Sequence, residues 1–329
     1  MLSVKKIIGS FLASIYRAIL MLSQASYRLV PFSIRKVQAR VVSIGNITWG
    51  GTGKTPLVIA LAKELSGAGK KVVVLTRGYG KDEVHELEKK LPNIPILVGR
   101  DRIKTAQEAV RKFQAEYIVL DDGFQHIRLH RDLDVVTINS TQPFGPGGLI
   151  PMGTLREPLE HLSRANLFVL TKANIGSKNV HWIRQRLLSI KPDAVIFEAI
   201  HRPVQFMDFR RNRYIPLHEI KGRKVAVISG IGDPFSFEKT VENLYAEIMF
   251  AARFDDHHQY TQTEFFDFLQ RAKEVGVKDI VTTEKDFYRM EGFFKGKRPQ
   301  DIHNFNFLVL QIEFQVNDEE DFVRRCLNS

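Results

Sequence analysis

The chain has 329 residues, a single cysteine and a formal net charge of +11. That length accommodates two domains with separate cores, and the lone Cys326 excludes an internal disulfide and a cysteine-based zinc cluster. An apolar fraction of 44% beside a charged fraction of 26% excludes a disordered chain, and no internal repeat or low-complexity tract interrupts it.

The positive charge is concentrated at the start. No Asp or Glu precedes Glu64, whereas Lys5, Lys6, Arg17, Arg28, Arg35, Lys36 and Arg40 all do. Residues 1–32 read as an amphipathic helix. On a helical wheel Val4, Ile7, Ile8, Phe11, Leu12, Ile15, Ile19 and Leu22 share one arc, and Lys6, Arg17 and Gln24 lie opposite. Arg17 leaves the apolar run shorter than the roughly 20 residues of a membrane span. A basic, one-sided helix of this kind can lie in a bilayer interface, where each basic residue gains about 1 kcal/mol on anionic lipid. Packing on the protein body is the competing reading. Lys5-Lys6 before an apolar run also fits an export signal, which the nucleotide-binding features below disfavour. The charge excess accompanies an apolar stripe and not aromatic stacking platforms, so nucleic acid is not the expected partner.

A strand at Val41–Gly45 leads into Thr48-Trp49-Gly50-Gly51-Thr52-Gly53-Lys54-Thr55, and a helix follows over Thr55–Ser66. A glycine-rich turn between strand and helix, ending in Gly-Lys-Thr, is the layout of a phosphate-binding P-loop. Its backbone N–H groups and the helix N-terminus face an anion. Lys54 adds a full charge, and the Thr55 hydroxyl is a magnesium ligand candidate. Thr48 stands where the consensus has glycine, so the loop is a variant.

Strands then alternate with helices: Lys71–Thr76, Asp82–Leu91, Ile94–Val98, Arg102–Phe113, Tyr117–Leu120, Val135–Ile138, Leu167–Leu170, Trp182–Ile190 and Ala194–Phe197. The pattern predicts an α/β fold, a P-loop NTPase-like, mostly parallel sheet covered by helices, over residues 33–203. Ligands of such sheets bind at the carboxyl ends of the strands. Residues 204–218, rich in Arg, Phe and Tyr, predict an extended linker able to form a hairpin. Residues 219–329 predict a second, smaller α/β domain, with strands at Lys224–Ser229, Glu247–Phe250, Asp279–Val281 and Phe305–Gln311. Its helices are expected near Phe235–Leu244, Thr261–Val275 and from Asp318 onward, with Thr283 as a helix N-cap.

The strand at Tyr117–Leu120 ends in Asp121-Asp122. In P-loop enzymes a carboxylate at such a position holds magnesium. Neighbouring strand residues point to opposite faces, so a continued strand would aim only one of the two at the metal. The loop beyond carries His126, Arg128, His130 and Arg131. These four are candidates for phosphate contact, Arg by bidentate bonding, or simply a solvated basic loop. Residues 145–158, with three glycines in Gly145–Gly148, form a long irregular segment, and such segments are commonly functional or disordered. Asp255-Asp256-His257-His258 offers metal ligands, a base with its orienter, or a polar loop.

Taken together, these motifs resemble the tetraacyldisaccharide 4'-kinase family, the lipid A 4'-kinases of Gram-negative bacteria. The resemblance runs along most of the chain. It rests on Ser43–Thr48 with Gly50–Pro56, Thr76-Arg77-Gly78-Tyr79-Gly80, Val98–Arg102, and Asp121–His126 with Leu129–Asp132. Leu155–Leu159, Leu170–Lys172, Ser229–Pro234, Asp256–His258 with Tyr260-Thr261, and Thr282–Asp286 complete it. It implies phosphate transfer from Mg2+-ATP to the 4'-hydroxyl of a tetraacyldisaccharide 1-phosphate, yielding lipid IVA. It also implies peripheral attachment to the cytoplasmic face of the inner membrane.

By residue, the candidates are Thr48 through Thr55 for ATP and Thr55, Asp121 and Asp122 for the metal, with Glu157 added by the resemblance. It implies acceptor contact by His126, Arg128 and Arg156, and chemistry by Asp82, His257 and Lys54. Family members carry the base in Gly-Asp-Glu-Pro, after a longer segment than the one here. In this chain Gly80 runs directly into Lys81-Asp82-Glu83-Val84, so Asp82 occupies the base position with altered flanks. His257 would assist it from the second domain, which requires the domains to close for chemistry. The P-loop with Asp121-Asp122 alone equally fits a carboxylate-activating ligase or a membrane-bound nucleotide switch.

Overall fold

In a computed structural model of the protein, the described residues are 11–20, 34–78, 81–294 and 300–328. The expected helix over 1–32 is therefore described only at residues 11–20, which are helical; its remainder lies outside the described residues, as do Tyr79, Gly80 and the Asp82 side chain. The chain divides into two units, Met1–Ile200 with Phe314–Ser329, and His201–Glu313.

In the first unit the elements follow the expected alternation: β1 (Arg40–Asn46), α1 (Lys54–Gly67), β2 (Val72–Thr76), α2 (Lys81–Lys90), β3 (Ile96–Val98), α3 (Arg102–Phe113), β4 (Tyr117–Asp121), β5 (Leu133–Asn139), β6 (Leu167–Thr171), α4 (Ser177–Ile190) and the start of β7 (Val195–Asp208). The strand order is β7-β6-β5-β1-β4-β2-β3, and every pairing in it is parallel.

The sequence builds this sheet through its two-residue period. Val42, Ile44, Val74, Val119 and Val135 face one side, against Leu57, Leu61 and Leu65 of α1. The intervening Val41, Val73, Leu75, Ile118 and Leu120 face the other, against Ala106 and Ala109 of α3. With both faces covered, these strands read as unbroken β-branched and aliphatic runs. Each fully buried side chain contributes about 1.5–3 kcal/mol of burial free energy. α3 begins where Asp101 accepts hydrogen bonds from the backbone N–H groups of Ile103 and Lys104, and Arg111 and Lys112 complement its C-terminal dipole.

The second unit contains the end of β7, then β8 (Arg213–Pro216), β9 (Lys224–Ser229), α5 (Pro234–Asn243), β10 (Glu247–Arg253), α6 (Gln262–Glu274), β11 (Asp279–Thr283), α7 (Glu284–Met290) and most of β12 (Asn306–Val316). Strands β10, β9, β11 and β12 pair in parallel. Residues 204–218, expected as a linker, are built into this unit: β7 and β8 form an antiparallel hairpin from Gln205↔Pro216 to Asp208↔Arg213. Asn212 turns it in the left-handed region, φ 47°.

The sequence pattern predicts a smaller domain over 219–329. The structure instead returns Phe314–Ser329, including α8 (Glu319–Asn328), to the first unit. The reason is burial: Val316, Phe322 and Cys326 belong to the α1 side of the first core, and Phe322 meets Phe197 edge-on at 5.4 Å.

Candidate active site

The carboxyl ends of β1, β2, β4, β5 and β6 define the site of the first unit. The turn after β1 is shaped by Gly50 at φ 108° and by Gly53, the N-cap of α1, at φ 81°. A Cβ on Gly53 would meet the Thr171 side chain at 3.1–3.2 Å in a backbone region that L-residues avoid. The loop is tied down from three directions. Thr52 Oγ1 accepts from Asn46 Nδ2 and bonds Thr137 Oγ1, both at 2.9 Å. Thr171 Oγ1 donates to the Thr52 carbonyl at 2.9 Å. The Trp49 N–H donates to the Thr154 carbonyl at 2.7 Å, which ties the glycine-rich segment around 145–156 to the loop. Trp49 itself is exposed, and Thr55 is buried at the start of α1.

Lys54 Nζ lies 3.8 Å from Asp122 Oδ1. Asp122 follows the last residue of β4 and is left-handed, φ 53°, so strand alternation stops there. Arg156 grips its carboxylate with NH1 at 2.6 Å and NH2 at 3.1 Å, and its NH1 also donates to Asn46 Oδ1 at 2.9 Å. Burial pushes the Asp122 carboxyl up, but Lys54 and Arg156 outweigh it and hold it below the usual range. Asp121 behaves oppositely. Burial, then the nearby Glu83 carboxylate, pushes it up to about 6 against the pull of Lys54. Its Oδ2 accepts from Thr76 Oγ1 at 3.2 Å, and its Oδ1 is buried with no hydrogen-bond partner among the described residues. Glu83 brings the first turn of α2, which also carries Asp82, to this strand end.

Glu157 is buried and fully engaged: Arg164 donates to both its oxygens, at 2.9 and 3.2 Å, and His161 Nδ1 lies at 2.7 Å. Arg164 also lies over the Phe124 ring at 4.4 Å. His126 is partly buried, and burial together with Arg102, Arg131 and Arg128 pushes its imidazole down to about 4. Arg128 is exposed. Arg131 is a scaffold residue, bonded to Asp134 and to the His126 carbonyl. The helix at 11–20 joins this region through Tyr16, whose hydroxyl donates to the Arg156 carbonyl at 2.9 Å. A cavity of about 430 Å³ lies beside it, lined by Ser14, Arg17, Leu149, Met152 and Leu155 among others.

In the second unit, loops leave the carboxyl ends of β9 and β10, and β11 runs directly into α7. His257 lies in the loop after β10, left-handed at φ 63°, a conformation that costs about 1–3 kcal/mol and persists only where its surroundings impose it. His258 Nε2 bonds the Glu264 carboxylate at 3.1 Å and its ring stacks on Phe254 at 4.6 Å. It therefore supports the Thr261–Glu264 capping box that begins α6.

The structure thus brings Thr48–Thr55, Asp121, Asp122, His126 and Arg156 to one end of the first sheet. It gives Glu157 and His258 structural partners. The sequence alone points to no role for Asn46, Thr76, Arg102 or Arg164. Arg102 was visible as part of Val98–Arg102, but only the fold shows that its NH2 donates to the Asp121 carbonyl at 3.1 Å.

Among known proteins, the family model described as tetraacyldisaccharide-1-P 4'-kinase matches residues 6–329. The tetraacyldisaccharide 4'-kinase of Halothermothrix orenii is 37% identical over 350 residues, covering 96% of this chain and 90% of that protein. That of Elusimicrobium minutum is 34% identical over 312 residues, covering 87% of this chain and 81% of that protein. The crystal structure of LpxK from Aquifex aeolicus, in complex with ATP, is similar with a TM-score of 0.67 and 26% identity over 95% of each chain. With its P-loop and paired aspartates at the carboxyl edge of a parallel sheet, and its match along nearly the full length, the chain belongs to the tetraacyldisaccharide-1-phosphate 4'-kinase family.

Proposed function

We propose that this protein transfers the γ-phosphoryl group of ATP to the 4'-hydroxyl of a tetraacyldisaccharide 1-phosphate in lipid A biosynthesis, giving lipid IVA. The observation that carries the reading is Lys54, at the head of α1, facing the Asp121-Asp122 strand end in a chain of this family. Neither the ligase nor the nucleotide-switch reading of the P-loop has comparable support.

In the reaction the acceptor oxygen forms a bond to the γ-phosphorus, the bond to the β–γ bridging oxygen breaks, and ADP leaves. The acceptor proton passes to a base. Asp82 is assigned that role by its place in the family motif, with His257 as its assistant. Most of the remaining acceleration comes from positioning and charge neutralisation. The glycine-rich loop cradles the phosphates with backbone N–H groups, and Lys54 supplies a charge to them. Asp122, held ionised by Lys54 and Arg156, fixes both cations. Arg156 and His126 are assigned to the acceptor side, with the exposed Arg128.

Magnesium fits the donor set of Thr55 and Asp121. A hydroxyl and a carboxylate are hard oxygen donors of the kind it takes, and Asp121 Oδ1 is a buried oxygen with no hydrogen-bond partner among the described residues. When bound, the ion supplies charge neutralisation to the phosphates. Asp122 and Glu157 are less suited, since arginine or histidine groups already occupy both oxygens of each.

The lipid surface is engaged, in this reading, by the N-terminal helix at the cytoplasmic face of the inner membrane. Phe11, Leu12, Ile15 and Ile19 are exposed on it, whereas Ala13, Tyr16 and Leu20 are its partly covered positions. Among the described residues no helix is long and apolar enough to cross a membrane. Incubation with ATP, magnesium and the disaccharide 1-phosphate tests the whole reading. The expected product carries one additional phosphate by mass; an unchanged lipid beside consumed ATP would sink it.

A further inference from the structure

In the second unit, a buried ion pair stands behind His257. Asp286 is fully buried and Arg289 nearly so. Asp286 Oδ1 accepts from the Gly230 N–H at 3.0 Å, the Tyr260 hydroxyl at 2.9 Å and Arg289 NH1 at 3.1 Å. Its Oδ2 accepts from Thr283 Oγ1 at 2.7 Å. Arg289 NH1 also donates to the Gly230 carbonyl at 2.7 Å. One carboxylate therefore ties the loops after β9 and β10 to the junction of β11 and α7, and fixes the guanidinium fork. The other arm of the fork, NH2, reaches His257 Nδ1 at 3.5 Å.

A guanidinium has donors only and stays charged. The ring nitrogen that faces it must present a lone pair, so Nδ1 is the acceptor and the hydrogen of the neutral imidazole sits on Nε2. Asp256 Oδ2 lies 3.8 Å from Nε2, on the ring edge where an N–H is electrostatically favoured over a lone pair.

We infer that Arg289, locked by Asp286, is a positioning residue that sets His257 in its Nε2–H tautomer. His257 then acts from Nε2 as a hydrogen-bond donor to an oxygen, orienting a carboxylate base and not accepting its proton at that atom. The catalytic consequence rests on the role proposed above for His257; the tautomer does not.

The primary test is nitrogen NMR on the full-length protein with 15N-labelled histidine, His257 being assigned by its disappearance in His257→Ala. At a pH about two units above the ordinary imidazole value, a pyridine-type Nδ1 and a pyrrole-type Nε2 are expected. The reverse assignment overturns the inference. Arg289→Lys keeps the charge but loses the fork, and Asp286→Asn releases it. In each, the two tautomers should mix and kcat should fall by about ten- to a hundredfold, up to the scale of a misplaced catalytic group, with KM for ATP unchanged. A folded Arg289→Lys protein with the native histidine signals and native kcat would overturn it. If either variant fails to fold, the native spectrum decides alone. His257→Ala with undiminished turnover would remove the catalytic role while the spectrum still reports the tautomer.

Discussion

Asp121 and Asp122 are chain neighbours of one chemical type, yet the fold drives their carboxyl groups in opposite directions. Asp121 is pushed up to about 6 by burial and by Glu83, and Asp122 is held low because Lys54 and Arg156 outweigh its burial. The first has a consequence for stability. Between its ordinary value of 3.8 and about 6 the native protein binds a proton there that the unfolded chain releases, so stability falls as pH rises through that window. His126 acts with the opposite sign. Between about 4 and its ordinary 6.5 the unfolded chain binds the proton, so stability rises with pH. The two slopes offset each other over most of the same range. Asp121→Asn removes the falling one, and denaturant titrations of the metal-free variant should then show stability rising by about 1 kcal/mol per pH unit between roughly pH 4 and 6. A profile parallel to the parent's would contradict this assignment. Lys54→Ala and Asp82→Ala should each lower turnover at least about a hundredfold, the scale of a lost electrostatic donor or general base. Near-normal turnover of Asp82→Ala in the phosphate-transfer assay would remove it as the base.

At the scale of elements, the glycine-rich loop is held by hydrogen bonds from its neighbours, and its glycines supply the left-handed turns this needs. Gly53→Ala adds a methyl group against Thr171 in a left-handed backbone. ATP affinity, measured by calorimetry, is expected to fall at least about tenfold, since a shift of about 1.4 kcal/mol suffices. Equal affinity would mean that the loop conformation is not the binding conformation. The N-terminal helix divides its faces differently: Tyr16 ties it to the Arg156 carbonyl, while Phe11, Leu12, Ile15 and Ile19 remain exposed. Phe11→Ser with Ile15→Ser should weaken co-sedimentation with anionic vesicles at least about tenfold, given about 1.5–3 kcal/mol per buried apolar side chain, and should spare turnover on detergent-dispersed acceptor. Unchanged sedimentation would detach this helix from membrane binding.

At the scale of the whole molecule, the chain leaves its first unit along β7 and returns to it along β12. The last segment thereby becomes part of the first unit's core. Phe322, 2% exposed and packed on Phe197, makes this testable. Phe322→Ala is expected to destabilise the first unit by about 3–5 kcal/mol, the usual cost of an emptied aromatic site, with lower thermal protection by ATP. Loss of stability confined to the second unit would contradict the assignment of residues 314–329.

The alternating strands, the P-loop, the acidic strand end and the family itself were legible along the chain, because each depends on local period or on residues adjacent in sequence. Continuous apolar runs announce parallel strands wherever they occur, and Gly-Lys-Thr announces a phosphate loop in any fold that places it after a strand. What the chain could not announce are relations between residues distant in sequence. Arg156 on Asp122, Arg289 on His257 and the C-terminal helix on the first core join segments 32 or more residues apart. Linear order carries no record of those distances. Charge state is subject to the same limit: Asp121 and Asp122 are equivalent as text, and only burial and the positions of two cations, set by tertiary packing, separate a raised carboxyl from a lowered one.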